Sequence, residues 1–584
     1  MKKLLLFLVC MAECASAQLP PAWQADTTRV VRDEMTRAYV SPQRIVWISD
    51  PGAVVDSRHL LQLSTGQAEL GSEGMCTLTT SEGGSSALIL DYGRELHGGL
   101  RLVFGTASRP EPSTVRIRFG ESVSEACSEE NSVSVTQGFS TNDHAMRDLV
   151  LKVPRDGQIE LGNTGFRFVR IDLLEPATTL RLKEATAIFR YRNLPYLGSF
   201  RCSDERLTRI WETGAYTVHL NMQEYLWDGI KRDRLIWVGD LHPEMATILS
   251  VFGADDIVPR SLDMACRQFP LPCWLNDMSA YSMWYLIIHR DWYLHSGDRD
   301  FLERHRGYIL GLIDAIDACV DENGDEHLSR WRFLDWPSSP DEAGVEAGYR
   351  ALLCLAMQSG EQLCETLGDV EHAARCRRIE ACILRQIKPH NGLKQAAALM
   401  ALAGTISAED ACREAISVGG AKGFSTFYGY YMLEAMARAG RCDEAMQIIR
   451  RFWGGMLDLG ATTFWEDFNL DWTADAAGID DFVPKGKKDI HGDFGEYCYP
   501  GFRHSLCHGW ASGPTPWLTR YVLGIEVLEP GCRKIRITPH LGDLEWAEGS
   551  FPTPLGVIHV RHEKRPGGRI ASKIEGPKGV KIIK

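Results

Sequence analysis

Two short runs hold carboxylates in settings that could do acid–base chemistry. In DGIKRDRLIWVGD, from Asp228 to Asp240, Asp233 lies between basic residues just before the apolar pair Ile236 and Trp237. In GATTFWEDF, from Gly460, Glu466 follows Phe464 and Trp465. Cleaving a glycosidic bond needs two carboxyl groups in unlike surroundings: one keeps its proton for the leaving oxygen, the other stays ionised to activate water or attack the sugar carbon. Burial beside apolar groups raises a carboxyl pKa, so on residue type alone either Asp233 or Glu466 could take either role. Read without its neighbours, the first run also fits a helix end in a polar turn, with Lys231, Arg232 and Arg234 solvated and Asp233 paired to one of them.

Two further connections gather polar and aromatic residues. RWRFLDWPSSPDE contains Trp331, Asp335 and Trp336, and RHSLCHGWASGPTPW contains His504, His508 and Trp510. The chain has 16 Trp, the flat amphipathic ring that a sugar cleft uses, although any single Trp is more often a core residue.

The elements that must position these runs are legible from the hydrophobic period. From about residue 23 to 196, short alternating runs such as SALILDYGRELHGGLRLVFG and FRFVRIDLLE are broken by Gly, Pro and Ser, the pattern of an antiparallel β-sandwich. After that the period changes: Leu207, Ile210, Trp211, Ala215 and Val218 fall at helical spacing behind a Ser203 or Asp204 cap. Helical segments follow to about residue 522, with no fixed-period repeat, which suits paired antiparallel helices closed into a toroid better than a solenoid. Such a toroid brings its connections together at one end, so carboxylates distant in sequence can face each other. From about residue 523, CRKIRITPHL and SFPTPLGVIHVRHEKR return to strands and predict a small terminal β-domain.

Composition narrows the function classes. At 584 residues, 44% hydrophobic and 24% charged, the chain reads as a multidomain globular protein. A net charge of −13 with scattered basic residues argues against a nucleic-acid partner. Lys2 and Lys3, the apolar run from Leu4 and the small residues Ala15-Ser16-Ala17 predict a cleaved export signal over residues 1–17, and no other segment is a membrane-span candidate. The Cys residues show no metal-ligand spacing, so no zinc site is expected, and most read as small buried apolar groups.

The runs together resemble the α-L-rhamnosidases of glycoside hydrolase family 78. The family signature Asp-Cys-Pro-x-Arg-Asp-Glu-Arg-Leu-Gly-Trp-x-Gly-Asp is similar to the stretch from Asp228 to Asp240, and Gly-Ala-Thr-Thr-Ile-Trp-Glu to Gly460–Glu466. Ser505-Leu506-Cys507-His508 echoes the family's Ser-Leu-Asn-His, and Asp335-Trp336 its Asp-Trp pair. DYGRELHGGLRL and TPLGVIHV resemble its accessory domains, so the likeness covers nearly the whole mature chain in the family's order.

The resemblance implies an (α/α)6 six-hairpin barrel over 197–522 between an N-terminal β-sandwich (23–196) and a small C-terminal β-sandwich domain (523–584). It implies an inverting hydrolase of terminal α-L-rhamnose with no metal or organic cofactor, and Glu466 as general base. It further implies that Asp240 and, under the forward count described below, Asp228 and Arg232 hold sugar hydroxyls, that Asp335 is a substrate-binding residue, that Trp237, Trp336 and Trp465 pack on the ring and its methyl, and that His508 covers the base side. The chain departs from the pattern at the general acid, because no Glu stands between Asp233 and Arg234. Counting back from Trp237-Val238-Gly239-Asp240 puts Asp233 in the acid's place; counting forward from Asp228 deletes the acid. The first count keeps a carboxyl where one is needed and is preferred.

Overall fold

A computed structural model of the protein describes residues 35–71, 73–129, 147–329, 331–495 and 501–584. The export segment expected over residues 1–17 lies outside the described residues. Towards the N-terminus, nine strands form one hydrogen-bonded antiparallel network, built on the long strands Ser86–Gly105, Gly157–Leu173 and Thr179–Arg192. Successive side chains of a strand point to opposite faces, and the network uses both. Leu88 and Leu90 enter a core with Ile117, Phe166 and Ile171, while Ile89 packs with Phe168, Val123 and Ala126 on the other side. Val123 and Ala126 belong to the short helix Val123–Cys127, whose start is capped by the Ser122 hydroxyl accepting the Glu125 N–H at 3.1 Å. That helix meets the run from Asp228 through Glu125, 3.2 Å from Lys231.

The first long helix, Glu205–Asn221, is capped by Asp204, which accepts the N–H groups of Arg206 and Leu207, and buries Leu207, Ile210, Trp211, Ala215 and Val218. Further helices follow, among them Leu241–Val251, Ile257–Gln268, Ser279–Ser296, Arg299–Asp317, Glu342–Leu367, Val370–Ile383, Lys394–Ala403, Gly429–Arg438 and Cys442–Asp458. Glu342–Leu367 is the hub, packed on Ser279–Ser296, Arg299–Asp317, Val370–Ile383 and Lys394–Ala403. Residues 505–513, expected to begin a last helix, instead form irregular backbone and a short 3-10 turn before Pro514–Trp517. His508 and Trp510 therefore sit on a loop.

One hydrophobic cluster runs from Phe200 through the helices to Ile558 and Val560 of the C-terminal strands. There, Trp546–Thr553, Gly556–Lys564 and Ile570–Glu575 form a sheet whose edge is completed by Ser199–Cys202, the strand just before the first long helix. Among the described residues no helix is long and apolar enough to cross a membrane.

Candidate active site

The charged run from Asp228 folds around its first residue. The Asp228 carboxylate accepts the N–H groups of Asp233 and Leu235, both at 3.0 Å, while its carbonyl accepts the Asn221 side-chain amide (3.0 Å) and the Gly509 N–H (2.9 Å). A β-bridge between Gly229 and His508 completes the tie to the 505–509 loop. Burial, followed by the charge of Asp233, pushes the Asp228 carboxyl up to about 7. Asp228→Ala is expected to strand two N–H groups at about 1–3 kcal/mol each and to lower the calorimetric melting temperature together with activity. Unchanged melting would mean that the loop does not rest on Asp228.

Glu466 is fixed by the same partner loop. Its N–H donates to the Ser505 carbonyl at 3.0 Å, its Oε2 accepts the Ser505 N–H at 3.2 Å, and its own carbonyl accepts Trp510 Nε1 at 2.8 Å. Arg232 then joins the two carboxylates: Nη2 pairs with Glu466, and Nη1 lies 3.6 Å from Asp233 Oδ1. Arg503 Nη2 also approaches Asp233 Oδ1, at 3.6 Å, yet that oxygen has no hydrogen-bond partner. Asp233 is the most open of the acids, its side chain 16% exposed against 2% for Asp228 and Asp240 and 3% for Glu466.

Asp240 and His508 complete the polar wall. Burial drives the Asp240 carboxyl well above the usual carboxylate range, against the Tyr281 hydroxyl, which donates to it at 2.6 Å. His508 Nε2 stands 3.8 Å from Asp228, 3.9 Å from Asp240 and 3.8 Å from Glu466. Burial pushes the imidazole down to about 3, opposed by Glu466, which makes it a neutral divider among three acids.

Opposite these groups stand Trp237, Met278, Tyr281, Trp331, Phe333, Trp336 and Trp510, closing a small cleft of about 60 Å³. A larger cavity, about 530 Å³, lies elsewhere, between Leu241–Val251, Ser279–Ser296 and the strand Ile525–Glu529. Its charges are spent on one another: His242 and Arg290 on Asp291, Arg520 on Glu434 and Glu526. The acidic cleft is thus the better reaction site despite its size.

Of the residues expected from sequence, Asp228, Arg232, Asp233, Trp237, Asp240, Trp336, Glu466 and His508 line this cleft. Asp335 and Trp465 are not among the lining residues. The Asp335 carboxylate is taken by the Ser425 hydroxyl (2.5 Å), the Gln395 amide (3.1 Å) and the Ser338 N–H (3.0 Å), so it braces the wall that carries Trp336. Trp465 is 1% exposed and meets Phe468 edge-on. The backbone there is irregular, and with Glu466 lining the cleft the preceding indole is buried in the core. Met278, Tyr281, Phe333 and Arg503 were not anticipated. Tyr281 sits in the aromatic-rich helix start SAYSMWYL, whose pattern reads as core, and nothing in its spacing signals a cleft.

The site is an acidic cleft walled by indole rings. Residues 195–522 match the model of the bacterial alpha-L-rhamnosidase 6 hairpin glycosidase domain, and residues 524–583 that of the bacterial alpha-L-rhamnosidase C-terminal domain. The chain belongs to this family, with a six-hairpin glycosidase fold.

Solved structures agree in fold. A family 78 rhamnosidase of Bacillus sp. GL1 is 22% identical over 87% of this chain and 54% of its own, with a TM-score of 0.69. The α-L-rhamnosidase of Dictyoglumus thermophilum is 17% identical over 86% of this chain and 57% of its own, at 0.66. A Klebsiella oxytoca rhamnosidase with rhamnose bound is 21% identical over 83% of this chain and 96% of its own, at 0.63. The chain thus spans little more than half the length of the first two. No curated protein sequence matches it.

Proposed function

We propose that the protein is an exported inverting α-L-rhamnosidase that removes terminal α-L-rhamnose from plant or microbial glycans. Asp233 protonates the glycosidic oxygen while Glu466 deprotonates water on the opposite face of the sugar. The observation that carries the reading is the Arg232 guanidinium set between these two carboxylates at the end of an aromatic-walled cleft. Two carboxyls on the two terminal nitrogens of one guanidinium lie within about 8 Å of each other, and inversion with an intervening water uses roughly 6.5–9.5 Å. Rhamnose in the Klebsiella oxytoca structure and the family membership support the choice of sugar. The test is hydrolysis of p-nitrophenyl α-L-rhamnoside followed by proton NMR. β-L-Rhamnose as the first product is expected; the α-anomer first would overturn inversion, and no turnover would overturn the activity.

The apolar wall supports a 6-deoxy sugar in particular. Phe333 and Trp336 meet at 5.1 Å, and Trp237 and Tyr281 at 6.1 Å, forming a surface suited to a methyl rather than a hydroxymethyl group. The matching α-L-mannoside is expected to react about 10²-fold more slowly in kcat/KM, the scale on which an apolar pocket rejects one added hydroxyl. Trp336→Ala is expected to raise KM for the rhamnoside about tenfold, through roughly 1–1.5 kcal/mol of lost ring contact. Equal rates on both sugars would remove the methyl from the argument.

A further inference from the structure

Both catalytic runs are gripped by the N-terminal β-domain. Lys231, directly before Arg232 and Asp233, sets its ammonium 2.9 Å from Glu121 and 3.2 Å from Glu125, and donates to the carbonyls of Phe502 (2.6 Å) and His504 (2.8 Å). The same Oε2 of Glu121 accepts the Leu506 N–H at 2.7 Å. Leu506 follows Ser505, whose N–H holds Glu466. One carboxylate of the β-domain is therefore a single residue removed, along the chain, from the contacts of each catalytic acid.

The grip is buried and holds a cation among its acids. Glu121 and His491 are 0% exposed, Glu125 1% and Lys231 2%. Among the described residues Glu121, Glu125 and His491 form the one group spaced to hold a cation, and the Lys231 ammonium, 3.4 Å from His491 Nε2, stands among them as a built-in cation. A buried pair of this kind resists slipping, because separating it leaves a charge without compensation. Further contacts point the same way: Arg167 donates to the Gly460 carbonyl at 3.0 Å, and the Glu95 N–H donates to the Thr462 hydroxyl at 2.9 Å, both on the run that ends in Glu466.

We propose that Glu121 is a positioning residue for the hydrolysis: through Lys231 and Leu506 it sets Asp233 and Glu466 relative to each other, which makes the β-domain a working half of the active site. The inference rests on the reading of Asp233 and Glu466 given above. Hydrolysis falls steeply when reacting groups move by about an ångström, so the loss belongs in turnover rather than in binding.

The experiment compares Glu121→Gln with Asp256→Asn in the full chain, on p-nitrophenyl α-L-rhamnoside. Asp256 forms another ion pair from barrel to β-domain, 3.0 Å from Arg192, and touches neither catalytic run. The expected result is a kcat about 10–100-fold lower in Glu121→Gln with KM within about twofold, and an unchanged kcat in Asp256→Asn. Should Glu121→Gln fail to fold, Gly165→Ala replaces it: its Cβ would come 2.7 Å from Ile230 and 2.9 Å from the Lys231 nitrogen, pressing on that backbone without altering a charge. Wild-type kcat in either variant, or equal losses in Glu121→Gln and Asp256→Asn, would overturn the proposal. An active Glu466→Gln would instead sink the site assignment beneath it. An inactive Glu466→Gln beside a fully active Glu121→Gln would sink the positioning role alone.

Discussion

Glu466→Gln is expected to cut kcat on p-nitrophenyl α-L-rhamnoside by about 10³-fold or more, near the top of the range for a general base. The substitution keeps the side chain's volume and an oxygen for the Ser505 N–H, so the loop held by Ser505, Thr426 and Trp510 stays in place. What disappears is the proton acceptor and the anionic partner of Arg232. Chemical rescue separates these two losses. In Glu466→Ala, azide needs no deprotonation and can attack from the vacated side, so it is expected to restore turnover and give the β-L-rhamnosyl azide. An α-azide would assign Glu466 to the wrong face of the sugar, and wild-type turnover without azide would end its role as base.

Much of this site was readable because its chemistry sits in contiguous runs. Asp228, Arg232, Asp233, Trp237 and Asp240 share one loop, and a loop that folds around its own Asp228 keeps near neighbours in sequence near in space. What the sequence leaves open is facing. Trp465 adjoins Glu466, yet backbone direction sends the two to opposite sides, and residue spacing does not record which side is the cleft. Asp335 likewise faces Gln395 and Ser425, partners 60 and 90 residues away, which no local pattern discloses. Tyr281 reaches the cleft, and Arg503 the Asp233 carboxylate, only through the packing of distant elements.

The helices show the same division. Glu205–Asn221 exposes Glu205, Arg209 and Glu212 and buries Leu207, Ile210 and Trp211 between them, so the period of its first half stands out. Lys394–Ala403 is buried nearly all round and rich in Ala, which leaves no amphipathic signal to read. Ile257–Gln268 carries Pro259 in its first turn, where proline fits a helix without ending it but resembles a break in sequence. The grip of Glu121 on Lys231 spans domains, and a charge cluster that looked solvated in the sequence proves to be 2% exposed at Lys231 and Arg232 because its counter-charges arrive from the β-domain and from Glu466.

Asp233→Asn is expected to be selective for the leaving group. A 2,4-dinitrophenyl rhamnoside departs without a proton and should lose less than about tenfold, whereas a natural alkyl or sugar glycoside should lose about 10²–10⁴-fold in kcat. The geometry favours Asp233 over the other acids on the same wall. Asp228 spends both carboxylate oxygens on backbone N–H groups, and Asp240 spends one on Tyr281. Asp233 Oδ1 has no hydrogen-bond partner, and its carboxyl is the most open to the cleft, which leaves it able to meet the glycosidic oxygen. Asp240 is the competitor, because burial raises its carboxyl well above the usual carboxylate range. If Asp240 only binds the sugar, Asp240→Asn will depress both substrates alike. Should Asp240→Asn spare the dinitrophenyl substrate while Asp233→Asn depresses both equally, the acid is Asp240, and the short Asp233 is a binding group in the place where the family carries its longer acid.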